Sequence, residues 1–135
     1  MNQILGKTKS VKELLSGVKY SIEYYQREYK WQRPHIRELI DDLSGRFLSS
    51  FHMDDPIEKT EQYGHYFLGS IILTQKDNKT FIVDGQQRLT SITLLLIYLK
   101  HLLQSEGLEA PIDGLIFSDS YGNKSFNLQI PEREP

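Results

Sequence analysis

The chain has 135 residues, 39% hydrophobic and 25% charged, which is enough for one domain with a core and too little for two of ordinary size. The 16 Lys and Arg against 18 Asp and Glu give a net charge of −2, so the chain lacks the overall basic signature of a tight nucleic-acid binder and any DNA contact needs a local basic patch. Cysteine is absent, which excludes disulfides, thiol catalysis and cysteine-based zinc sites; no apolar run is long enough to span a bilayer, and Met1–Lys7 lacks a signal-peptide segment, so a cytoplasmic location without membrane contact is expected.

Ser10-Val11-Lys12-Glu13 has the spacing of a capping box ahead of Leu14 and Leu15, and Gly17 is placed to end the short helix it starts. Val18 to Ile22 alternates apolar and polar residues as a half-buried strand does. Tyr24, Tyr25, Tyr29 and Trp31 follow, interleaved with Arg27, Glu28 and Lys30. That mixture suits stacking of bases beside phosphates, and equally suits a loop that packs its rings inward. Pro34 fits the first turn of a second helix whose apolar face is Ile36, Leu39, Ile40, Leu43 and Phe47. Asp41 and Asp42 lie on its other side, where adjacent helical residues diverge, and they read as a solvated face.

Ser49 to Gly64 has no clear period and reads as a long connection or flexible loop. The four histidines show no zinc-helix spacing and are assigned to surface or boundary positions. Tyr66 to Thr74 reads as a strand, with Gln75 to Lys79 turning it into a second strand at Thr80 to Asp84. Gly69 is a close-approach position for either a ligand or an aromatic ring. After Gln104, Gly107 and Pro111 break the chain, and Leu115-Ile116-Phe117 is set to pair with Ser125 to Ile130 across residues 121–124. Pro131 to Pro135 resembles a linker cut through, as in the N-terminal part of a larger protein.

The centre of the sequence is Phe81 to Ser91. The β-branched and aromatic run Phe81-Ile82-Val83 stops at Asp84-Gly85, and Leu89, Ile92, Leu95, Leu96, Leu99, Leu102 and Leu103 then recur at helical spacing. The helix is expected over Gln86 to Gln104, covered on most of its circumference because Leu94, Ile97 and Tyr98 widen its apolar face. Its first turn collects Gly85, Gln86, Gln87, Arg88, Thr90 and Ser91, an arrangement suited to an anion at a helix N-terminus. The same residues also fit a plain turn, with Asp84 capping and Arg88 paired to a nearby carboxylate.

Phe81 to Thr90 resembles the DGQQR segment of the GmrSD-type N-terminal domain. Tyr25-Gln26-Arg27-Glu28-Tyr29-Lys30-Trp31 resembles that family's YQR-x-Y-x-W segment, and Tyr66 to Leu73 its aromatic-rich strand with an internal glycine. The three occur in the family's order, and the resemblance covers residues 10–105, leaving 106–135 as a peripheral extension or the start of a linker. Glu23 stands where the family usually has proline, which touches the local turn.

The resemblance implies a single α+β domain of ParB-like fold, with a small mixed sheet or hairpin against a long buried helix and shorter helices. It also implies nucleotide binding and hydrolysis in a modification-dependent DNA restriction or phage-defence protein. Carried onto this sequence, Asp84, Gln87 and Arg88 become catalytic candidates. Gln26, Arg27, Gly85, Gln86, Gln87, Arg88 and Thr90 would hold a nucleoside triphosphate, and Asp84 its magnesium ion. No P-loop is present. The implied partners are DNA in the full-length protein and a C-terminal nuclease domain or subunit, since this chain has no nuclease motif of its own. Two rivals stand beside this reading: a non-catalytic DNA- or protein-binding module, and a purely structural turn in which Arg27 and Arg88 pair with Asp84 and Glu28.

Overall fold

The computed structural model describes residues 6–22, 30–109, 111–120 and 122–129. The chain divides into two compact units, residues 1–28 with 71–135, and residues 29–70. The architecture is α+β, with a four-stranded mixed sheet, a separate two-stranded sheet and a long helix.

In the first unit, α1 (Val11–Leu15) opens on the expected capping box: Ser10 Oγ accepts from Glu13 N–H at 3.1 Å and Glu13 Oε1 accepts from Ser10 N–H at 3.0 Å. The Ser10 backbone and hydroxyl bonds hold the Glu13 carboxyl below its ordinary pKa, because both stabilise the charged form. Gly17 leaves the helix at φ 66°. Strand β1 (Tyr20–Ile22) is buried along its whole length, as a strand between two parallel neighbours must be. It pairs in parallel with β3 (Lys79–Asp84) and with β6 (Leu128–Gln129), and β3 pairs antiparallel with β2 (Ile72–Lys76), giving the order β2-β3-β1-β6.

The β2–β3 hairpin turns on two residues, Asp77 and Asn78, at φ 54° and 62°. Both therefore take the left-handed conformation of a tight primed turn, which Asp and Asn tolerate better than most residues. The strand expected over Tyr66 to Thr74 is shorter than its composition implied: Tyr66 to Ile71 lies outside any strand, and pairing begins at Ile72. Aromatic and β-branched content reports fitness for a pleated surface rather than a partner strand.

Helix α3 (Gln86–Ser105) matches the expected Gln86–Gln104 span to one residue. Its buried residues are Leu89, Ser91, Ile92 and Thr93, all in the first half. The expectation of near-complete cover does not hold: Leu94 is 53%, Tyr98 62% and Leu102 45% exposed, a stripe at four-residue spacing. Beyond α3, Leu115 and Ile116 belong to the short α4 (Asp113–Ile116) instead of a strand, and β4 (Phe117–Ser120) pairs with β5 (Asn123–Phe126).

Asn127 is the single residue between β5 and β6. Its Nδ2 donates to Leu15 O at 2.8 Å and Gly114 O at 3.0 Å, its N–H donates to Ile116 O at 2.7 Å, and its carbonyl accepts from Tyr20 N–H at 2.7 Å. One buried residue thus joins α1, α4, β1 and both sheets. Lys19 acts alongside it, donating to Ser118 O, Ser125 O and Ser125 Oγ at 2.9, 3.1 and 2.6 Å and tying the approach to β1 onto the β4–β5 hairpin.

The second unit is built on α2 (Arg33–Ser50), with Pro34 in its first turn as expected. Gln32 N–H donates to His35 Nδ1 at 2.9 Å, so His35 serves as a cap. Of the expected apolar face only Leu39 is buried, and Ile40 and Phe47 are exposed. The connection after it carries a 3-10 segment, Ile57–Gln62, and packs Tyr63 on Phe47 at a ring separation of 5.5 Å. Tyr66 donates to Asp42 at 2.8 Å.

Replacing Asn127 with Ala is expected to lower folding stability by about 1–3 kcal/mol, since Leu15 O loses its close donor in a dry site, while Gly114 O keeps the Gly17 N–H. Urea unfolding should show a lower midpoint with an unchanged slope.

Candidate functional site

The candidate site is the junction of β3 and α3. Strand β3 lies between β2 and β1, paired with β1 at Phe81 and Ile82 and with β2 as far as Asp84. Next to the junction, Ile72 pairs with Asp84 while Leu73 pairs with Ile82, leaving Val83 as an extra residue on β3. Such a bulge bends the strand and re-aims the side chains that follow. Gly85 then turns the chain at φ 98°, ψ 8°, a conformation that crowds a Cβ, and α3 begins at the next residue.

Asp84 is exposed and its Oδ1 accepts from Gly85 N–H at 3.0 Å. Gly85 has no side chain with which to cap α3, and the first intrahelical bond is Leu89 N–H to Gly85 O at 3.0 Å. The residues at this positive helix end are therefore Gln86, Gln87 and Arg88, and the first turn contains no acidic side chain. All three are half-buried, and Gln87 and Arg88 each engage a neighbour. Gln86 differs: its Oε1 is buried without a hydrogen-bond partner. Thr90 is half-buried on the next turn, and Ser91 donates to Gln87 O at 2.8 Å. Leu89 and Ile92 sink into the core and fix the helix beneath the turn.

Asp84, Gly85, Gln86, Gln87, Arg88 and Thr90 are thus gathered in one strand-turn-helix segment. Gln26 and Arg27 lie outside the described residues. Among the described residues no group of three or more His, Asp or Glu is arranged to hold a metal ion, and all four histidines are exposed. An open groove of about 410 Å³ runs over Arg33, Pro34, Arg37, Glu38, Asp41 and Asp42. All six belong to one helix in the other unit, and the groove is a solvated face of α2. Among the described residues no helix is long and apolar enough to cross a membrane.

These features define a mixed α+β domain with a polar, glycine-hinged turn at the head of its longest helix. The sequence model of the GmrSD restriction endonuclease N-terminal domain matches residues 11–134, and the chain belongs to that family. It is accordingly a restriction-system module. Comparison with individually curated proteins returns no match.

A Cβ at position 85 conflicts with its backbone conformation, so Gly85→Ala should cost about 1–2 kcal/mol in thermal or urea unfolding. Gly45 provides the contrast. It lies within α2 with open space where a Cβ would stand, and Gly45→Ala should stabilise by about 0.5–1 kcal/mol.

Proposed function

We propose that this domain is a nucleoside triphosphate-binding regulatory module of a modification-dependent DNA restriction or phage-defence protein, and that it hydrolyses the nucleotide at the start of α3. The observation that carries the reading is the turn itself, a left-handed glycine at the N-terminus of α3 with Arg88 in a first turn that holds no acidic side chain; Gln86 Oε1 beside it is a buried acceptor without a partner, as are Thr93 Oγ1, Ser118 Oγ and Asn127 Oδ1 elsewhere. Leaving such a group unmatched costs about 1–3 kcal/mol, which a donor from a ligand or its bound water recovers.

Each residue of the turn has a role consistent with this. Gly85 lets the chain approach a phosphate without steric obstruction, the positive end of α3 favours the anion, and the Arg88 guanidinium supplies charge and a forked donor. Gln87 is placed to orient a water or phosphate oxygen, with Thr90 one turn further along. Asp84 supplies one carboxylate. A magnesium ion suits that donor set, since it commonly takes one or two protein carboxylates and completes its octahedron with phosphate oxygens and water. The ion's chemistry would be to neutralise phosphate charge. Gln26 and Arg27 are proposed to complete the wall, with DNA and a C-terminal nuclease domain or subunit as partners of the full-length protein.

Thermal melts test binding. A triphosphate with magnesium should raise the midpoint, and the shift should grow with ligand concentration because only the folded state binds. UTP, GTP, CTP and ATP are tried separately, and Arg88→Ala is expected to remove the shift. A flat response to all four in the unmutated full-length protein would overturn the reading. A shift without phosphate release would leave a binding module that does not hydrolyse.

Asp84→Asn separates capping from metal binding, because an amide oxygen can still accept from Gly85 N–H while carrying no charge. The unliganded unfolding free energy should stay within about 0.5 kcal/mol of the parent. Magnesium-dependent phosphate release should fall by at least tenfold, and an unchanged rate would remove Asp84 from the metal role.

A further inference from the structure

We draw no further inference here: the strongest candidate, the exposed apolar stripe of Leu94, Tyr98 and Leu102 along α3, is an unpartnered helix face and nothing in the structure shows what covers it.

Discussion

The left-handed backbone at Gly85 is the constraint on which the first unit depends. A strand and a helix have incompatible dihedral angles, and here the change is made within one residue. A longer connection would let α3 start at a distance from β3. With a single residue, the helix axis and the first-turn side chains are fixed by the end of the strand. The bulge at Val83 and the Asp84 bond to Gly85 N–H both act on this step. Leu89 and Ile92, buried within the next two turns, hold the helix in the direction that the turn sets.

That geometry is only as firm as β3, and β3 is held by β1. The β1–β3 pairing is parallel and short, so it needs support from its other side. β6 provides it with two paired positions, and Asn127 places β6. The carboxamide binds the carbonyls that end α1 and lie within α4, while its backbone exchanges bonds with β1 and α4. A hydrophobic residue there would take the close donor from Leu15 O and leave Gly114 O with the Gly17 N–H alone. The chain therefore gives up apolar burial at one of its most enclosed positions in order to fix where its C-terminal strand crosses between sheets.

The parts legible in the sequence are those set by neighbouring residues. The capping box at Ser10 and Glu13, Pro34 in the first turn of α2, the hairpin at Asp77 and Asn78, and the span of α3 all follow from local spacing. What escaped reading depends on distant contacts. Tyr66 to Ile71 has strand composition and no strand, because pairing depends on what lies alongside. Asn127 reads as an ordinary polar residue in a short strand, and only the convergence of Leu15, Ile116 and Gly114 gives it a role. The pattern held no clue: Ser125-Phe126-Asn127-Leu128-Gln129-Ile130 alternates polar and apolar without a break, and Asn127 takes an ordinary polar position in it. The candidate site was legible as a group because its residues are contiguous, whereas the orphan oxygen on Gln86 is a property of packing.

The chemistry open to such a turn follows from what it contains. One exposed carboxylate beside a positive helix end is a weak metal site on its own, and its affinity would rise when an anionic ligand brings oxygens of its own. Phosphate and cation would then bind as a unit, each supplying part of the other's environment. Arg88 enters the same balance, since the conformation that serves a phosphate must compete with the neighbour it already engages. A ligand that drew Arg88 from that neighbour and offered a donor to Gln86 would change the surroundings of two residues in the first turn of α3.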